Sequence, residues 1–387
     1  MKSLCFYFQV HQPMRLNKFS VFTKDSPYFD DKRNKEYFER VARKCYLPTN
    51  KLLLDLINEN GKKFKIAFSL TGVFVEQCKK FAPEVLESFK ELAKTGNVEF
   101  LSETYYHSLA ALFSEQEFKE QIKTHKKMIS DLFDQKPKIF RNTEAMYSNN
   151  IAKLIESLGY KGIITEGHES ILGWRSPNYL YNPNGCKISA LLRNYKLSDD
   201  IGFRFSARWW EEYPLTADKY AIWLSKCEGQ LINVFIDYET FGEHQWEDTG
   251  IFNFLKYLPI EVFKYPDLDF KTPSEIVKSY KPVGVIDVPH IISWADIQRD
   301  TTAWLENEMQ RLAFEQMTKL EKYIKKNPEL LHAWRMLQTS DHFYYMCTKW
   351  FADGDVHKYF NPYNSPYDAF INYMNILQDI RRKLGIE

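Results

Sequence analysis

A chain of 387 residues with a net charge of +1 at neutral pH has no bulk electrostatic attraction for nucleic acid or an anionic membrane surface. Its 44% hydrophobic and 27% charged content match a globular protein with a large core, and no stretch reaches the roughly 20 apolar residues of a membrane span. The outlying figure is the aromatic share of 16%, which suits either core filling or a cleft that stacks flat rings such as sugars.

The first element is the apolar run Leu4 to Val10, too short for a signal-peptide core and followed at once by His11 and Gln12. Six more strand-length runs follow: Phe64 to Leu70, Val98 to Leu101, Lys138 to Arg141, Gly162 to Thr165, Ile188 to Arg193 and Leu231 to Ile236. Helical patterns lie between them over Glu36 to Asn60, Pro83 to Thr95, Ser114 to Phe133, Asn149 to Leu158 and Thr216 to Lys226. Three of these end at Gly61, Gly96 and Gly159, as helix stops do. Alternating strand and helix predicts a parallel sheet, open or closed into a barrel.

After about Pro289 the pattern turns wholly helical, over Thr301 to Lys326, Pro328 to Trp350 and Tyr367 to Leu384. Ala352-Asp353-Gly354-Asp355 and Asn361-Pro362-Tyr363-Asn364-Ser365-Pro366 are turn signals between the last two. The expected organisation is a catalytic unit over 1–288 and a helical region over 289–387 that completes the cleft. The six cysteines are scattered, with no Cys-x-x-Cys pair and no finger-like spacing, which predicts that most are buried thiols in a cytoplasmic protein.

The polar residues fall where these strands end. His11 follows the first, Tyr105, Tyr106 and His107 the third, Glu144 the fourth, Glu166 and His168 the fifth, and Asp237 the seventh. In a barrel of parallel strands the carboxyl ends share one face, so these residues are expected to meet in one cleft. The densest run is Asp237-Tyr238-Glu239-Thr240-Phe241-Gly242-Glu243-His244, directly behind an apolar strand. Trp209 and Trp210 lie in the irregular stretch Asp199 to Pro214, either as a sugar-stacking wall or as core filling.

There is no His-Glu-x-x-His, no Gly-x-Ser-x-Gly and no Gly-x-Gly-x-x-Gly. What remains is a pair of carboxylates on different strands, Glu144 and Asp237, with histidine and aromatic company. Glycoside cleavage needs that equipment: one carboxyl protonates the leaving oxygen while the other attacks or activates water. A metal-dependent deacetylase or phosphoesterase built on the acids of 237–244 stays open, as does a sugar-binding protein without turnover.

Five ordered segments resemble the motifs of glycoside hydrolase family 57. They are His11-Gln12-Pro13, the stretch Gly96-Asn97-Val98-Glu99 to Tyr105-Tyr106-His107, Phe140-Arg141-Asn142-Thr143-Glu144, the Asp237 to His244 run, and Gln338-Thr339-Ser340-Asp341-His342-Phe343-Tyr344-Tyr345. Ser293-Trp294-Ala295-Asp296 also resembles a segment of the α-amylase-like members. The resemblance implies an α/β fold, a (β/α)7 barrel followed by an α-helical C-terminal region. It further implies action on an α-glucan or maltooligosaccharide with retention of configuration, and neither cofactor nor metal in the chemistry.

Carried over by motif, Glu144 is the expected nucleophile and Asp237 the general acid/base, with their carboxyl groups about 5 to 5.5 Å apart. His11 and His107 are expected beside the cleaved bond, and Asp341 on the helical region's side of the cleft. Glu239, His244, Trp209 and Trp210 complete the substrate-binding candidates. Many family members have proline before the nucleophile, where this chain has Thr143. α-Amylase and 4-α-glucanotransferase both fit these residues, and a homo-oligomer stays open.

Overall fold

The computed structural model describes residues 1–24, 26–349 and 361–386. Its strands are β1 (Lys2–Val10), β2 (Ile66–Leu70), β3 (Val98–Phe100), β4 (Ile139–Arg141), β5 (Gly162–Glu166), β6 (Asn182–Pro183), β7 (Ser189–Arg193), β8 (Leu231–Asp237), β9 (Leu268–Phe270) and β10 (Val285–Ile286). Seven of them make a (β/α)7 barrel. β3, β2, β1 and β8 pair in parallel in that order, as do β4, β5 and β7. A parallel bridge between Ser102 and Phe140 joins β3 to β4. On the other side the Asn194 amide donates to the Asn233 carbonyl at 2.9 Å and the Asn233 side chain donates to the Leu192 carbonyl at 2.8 Å, which brings β7 against β8. These seven are the strands expected from the sequence. The short β6, β9 and β10 are additional, and β9 pairs with the start of β1.

Side chains alternate across a strand, so every second residue faces the barrel interior. Cys5, Tyr7, Ala67, Ile139, Ile164, Leu191, Leu231 and Phe235 form one buried apolar cluster there. Two residues further on, the same faces carry Gln9, Ser69, Arg141, Glu166, Arg193 and Asp237. The interior is therefore apolar at the amino ends and polar at the carboxyl ends. The opposite faces, including Phe6, Phe8, Phe68, Val234 and Ile236 on one side and Phe140, Ile163 and Leu192 on the other, pack under the surrounding helices.

The expected helix over Glu36 to Asn60 begins earlier and is widened in the middle: Asp31–Val41 and Leu47–Asn60 flank a π-turn at Ala42–Tyr46. That turn sets Cys45 Sγ 3.3 Å from the Tyr238 carbonyl and brings the Tyr46 hydroxyl to Glu239, so it packs against the residues that follow β8. Helices at Gly72–Phe81, Tyr195–Gly202, Ile251–Val262 and Pro273–Ser279 were not expected from the pattern.

The C-terminal helices are more broken than their periodicity predicts. Thr301 to Lys326 resolves into Thr302–Leu305, Glu308–Lys319 and Glu321–Ile324. Asn307 caps the second, its side chain accepting from the Gln310 amide while the Gln310 side chain accepts from the Asn307 amide, and this reciprocal cap starts a new helix where one was expected to continue. Pro328–Met336 and Ser340–Tyr344 replace the first part of the Pro328 to Trp350 helix. Its end at Trp350 and the turn signal at Ala352-Asp353-Gly354-Asp355 lie outside the described residues. The last helix runs Pro366–Lys383. These helices enclose a separate core around Trp304 and Trp334, which also takes in Leu16, Phe19 and Tyr28 from the segment after β1. No helix among the described residues is long and apolar enough to cross a membrane.

Candidate active site

The carboxyl ends of the strands open into a cleft of about 1040 Å³, its mouth included. Lining it are His11, His107, Arg141, Glu144, Asp237, Glu239 and His244 from the barrel, and Trp294, Asp296, Asp341 and Tyr344 from the C-terminal side.

Glu144 reaches the cleft through an unusual turn. The chain leaves β4 at Arg141, the Asn142 side chain accepts from the Thr143 amide, and the Thr143 hydroxyl lies 2.7 Å from that of Thr104. Glu144 and Ala145 then both take left-handed backbone angles, with φ of 54° and 51°. Two successive non-glycine residues there cost roughly 1 kcal/mol or more each, so the surroundings must hold them. Three side chains do so at the carboxylate. His107 Nε2 lies 3.2 Å and Ser340 Oγ 3.0 Å from Oε1, and the Trp294 indole Nε1–H donates to Oε2 at 2.9 Å.

His107, itself left-handed at φ 49°, bridges two acids, with Nδ1 3.1 Å from Glu103. Burial works against its charge, but the hydrogen bonds to Glu103 and Glu144 outweigh that and hold its pKa at about 9. Glu103 is fully buried, yet His107, Arg141 and His125 overcome the desolvation and keep its pKa at about 2. The histidine is therefore an imidazolium near neutrality, donating to both carboxylates. Its ring stacks on His11 with centroids 4.1 Å apart. Burial and the neighbouring His107 charge push the His11 pKa down, although Asp341 opposes this from 3.1 Å. One charged and one neutral ring is the low-repulsion arrangement of such a pair.

Asp237 ends β8, registered beside Gln9 of β1, and faces the same cleft. Glu239 follows on a single 3₁₀ turn and accepts from the Tyr46 hydroxyl at 2.5 Å. Burial drives its carboxyl up to about 8 against that hydrogen bond, with the Asp237 charge adding to the rise. Glu243 turns away from the cleft and is buried against Arg40 at 2.8 Å. Between them, Gly242 has φ +103° and packs so close to the Lys44 carbonyl that a Cβ would sit 1.9 Å from the oxygen.

The structure thus brings His11, His107, Glu144, Asp237, Glu239, His244 and Asp341 together. It does not bring Trp209 or Trp210 into the cleft. Trp209 is 81% exposed, and Trp210 packs against the helix-side core with its ring 6.1 Å from Trp223. From the stretch expected to be irregular, the residues that do line the cleft are Gly202, the last of the Tyr195–Gly202 helix, and Phe203 directly after it. Arg141 is fully buried, its guanidinium 4.6 Å from the Trp294 ring centre and 4.0 Å from Glu103. Sequence reasoning missed Glu103, Trp294 and Ser340 as partners of the central cluster. All three had a signal in segments already singled out: Glu103 four residues before His107, Trp294 within Ser293-Trp294-Ala295-Asp296, and Ser340 beside Asp341. Among the described residues no group of three or more His, Cys, Asp or Glu side chains is arranged to hold a metal ion.

The model of the glycosyl hydrolase family 57 matches residues 5–289. A protein of Methanocaldococcus jannaschii named "Putative alpha-amylase" is 53% identical over 97% of this chain and 83% of its own length. "Alpha-amylase 1" of Dictyoglomus thermophilum is 25% identical over 65% of this chain, which spans only 37% of that longer protein. Among solved structures, a family 57-type branching enzyme from Pyrococcus horikoshii superposes with a TM-score of 0.70 at 14% identity, over 100% of this chain and 95% of its own. The 4-alpha-glucanotransferase of Thermococcus litoralis gives 0.69 at 16% identity, over 88% and 56%. At these identities the two structures speak for the fold.

Proposed function

The chain belongs to glycosyl hydrolase family 57, and from that premise we propose that it is a retaining α-glucan hydrolase with Glu144 as nucleophile and Asp237 as general acid/base. The observation that carries this reading is the Glu144 carboxylate, met by His107, Ser340 and Trp294 inside a cleft that Asp237 also lines. Hydrogen bonds and a cation at a carboxylate favour its ionised form. An ionised, aimed carboxylate is what a glycosyl nucleophile must be.

In the first step a Glu144 oxygen bonds to the anomeric carbon while Asp237 gives its proton to the departing glycosidic oxygen. In the second, Asp237 takes a proton from water, the water oxygen bonds to the anomeric carbon, and Glu144 is released. The chain's similarity to the α-amylase-named relatives supports an α-1,4-glucan or maltooligosaccharide as substrate. Residues 289–387 act as the part that completes the cleft, which is supported by the lining from Trp294, Asp296, Asp341 and Tyr344. Six free cysteines suit a reducing cytoplasm.

Glu144→Gln and Asp237→Asn test the assignment, each expected to lower kcat on maltoheptaose by roughly 10³-fold or more with the fold intact. Full activity in either variant removes that residue from its role. The wild-type products separate the two acceptors: only shorter sugars mean hydrolysis, and a ladder longer than the substrate means transfer to another sugar.

A further inference from the structure

The segment 293–300 crosses the carboxyl ends of the barrel strands from the C-terminal side. Ile292 pairs with Tyr147, the Ser293 amide donates to the Arg299 carbonyl at 3.0 Å, and the Ser293 hydroxyl donates to the Asp300 carbonyl at 2.8 Å, so the segment is a closed loop. Asp296 and Arg299 inside it have φ of 57° and 51°. A loop with two left-handed non-glycine residues needs an external anchor.

It touches the barrel at two places five residues apart. Trp294 lies on Glu144, through its indole N–H and also through its backbone amide, which donates to the Glu144 carbonyl at 3.1 Å. Arg299 lies on Glu166, an interior acid at the end of β5. The Arg299 guanidinium donates to Glu166 Oε2, which also takes Arg193 Nη1 at 3.1 Å. Asp199 accepts from Arg193 at 2.5 Å and stands 3.8 Å from Arg299. The Tyr195 ring covers the guanidinium carbon at 4.6 Å. Two cations on two acids form a fixed seat, since Glu166 is wholly buried and a lysine could not reproduce the planar fork. Arg193 links the two contact places, its guanidinium carbon lying 5.6 Å from the Trp294 ring centre.

We propose that Arg299 is a positioning residue: seated on Glu166 and Asp199, it holds the 293–300 loop so that the Trp294 indole N–H stays on the Glu144 carboxylate. The inference rests on Glu144 as nucleophile and adds the device that keeps it ionised and aimed. The other charged groups about Glu144 are His107 in contact, Glu103 behind His107, Arg141 and Asp237 along the cleft, and His11 with Asp341 beyond. Arg193 and, on the loop itself, Asp296 line the same cleft; releasing the loop therefore takes one donor from the carboxylate and one from the Glu144 carbonyl and moves the Asp296 charge, while the barrel groups stay in place.

The test is the pH profile of kcat/KM on maltoheptaose for the full-length enzyme. Losing a donor to a carboxylate raises its proton affinity. Arg299→Met and Trp294→Phe should each move the acid limb to higher pH and lower kcat/KM by roughly ten- to a hundredfold, as loss of one charge-assisted hydrogen bond implies. The double variant should be no worse than Trp294→Phe, and Arg299→Lys should recover part of the shift. Asp199→Asn loosens the same seat more gently and serves if Arg299→Met does not fold; it should shift the limb in the same direction by less. An unmoved acid limb in the Arg299 and Asp199 variants, or losses that multiply in the double variant, overturns the proposal. Should the nucleophile reading itself be wrong, Trp294→Phe will also leave the limb unmoved and Glu144→Gln will stay active, a different pattern.

Discussion

Trp294 and Glu144 are joined twice, by the indole N–H on the carboxylate at 2.9 Å and by the backbone amide on the carbonyl at 3.1 Å. The second bond fixes the strained turn that carries the acid, and the first fixes the acid itself. The nucleophile candidate is therefore held from the C-terminal side as much as by the barrel strand that delivers it.

His107 makes stability depend on alkaline pH. Its folded pKa of about 9 lies above the ordinary 6.5, so its contribution is fully present below pH 6.5 and is lost as pH rises through 9. The ion pair with Glu103 is one interaction and is counted once. Urea unfolding of the wild type between pH 6 and pH 9.5 should lose on the order of 3 kcal/mol more than that of His107→Gln. Equal losses in both proteins contradict the imidazolium assignment.

Glu239 has the opposite consequence. With a folded pKa of about 8 it is a neutral acid in the folded chain at pH 7 but ionised in the unfolded chain above its usual 4.5, so its cost to folding grows between pH 4.5 and 8. Glu239→Gln removes that cost. The Tm advantage of the variant over the wild type should widen from pH 5 to pH 8, and a constant difference contradicts the assignment.

The seven barrel strands and the convergence of His11, His107, Glu144 and Asp237 were legible because both follow from short-range pattern: apolar runs of strand length, each followed by a polar residue at its carboxyl end. That Trp294 and Ser340 touch Glu144 was not, although both stand in segments the family resemblance singles out, since they lie 150 and 196 residues from Glu144 and come from an irregular loop and a five-residue helix. No periodicity marks a contact of that kind. The helix broken at Asn307 is an intermediate case: its Asn-x-x-Gln cap is in the sequence, but the apolar period runs on across it.

The two tryptophans left open between a sugar-stacking wall and core filling give a separate check. Trp209→Ala removes a ring that is 81% exposed and should leave KM for maltoheptaose and the Tm nearly unchanged. Trp210→Ala removes packing against Trp223 and should cost on the order of 2 kcal/mol in urea unfolding without a specific effect on KM. A several-fold rise in KM for Trp209→Ala would put that ring on the substrate after all.

Gly242 holds the acidic loop against the π-turn. An alanine there must take a φ of +103° and push away the Lys44 carbonyl, so Gly242→Ala should cost about 3 kcal/mol or more and lower activity with it. Measured destabilisation under about 1 kcal/mol is incompatible with so close an approach.

The central claim is that Glu144 forms the covalent bond to the sugar. Incubation with a 5-fluoro-α-glucosyl fluoride, followed by proteolysis and mass spectrometry, reads this directly, because attack at the anomeric carbon expels fluoride and leaves a slowly hydrolysed ester. The predicted result is a single labelled peptide with the added mass on Glu144, and no label on the Glu144→Gln enzyme. A label on any other carboxylate contradicts the account.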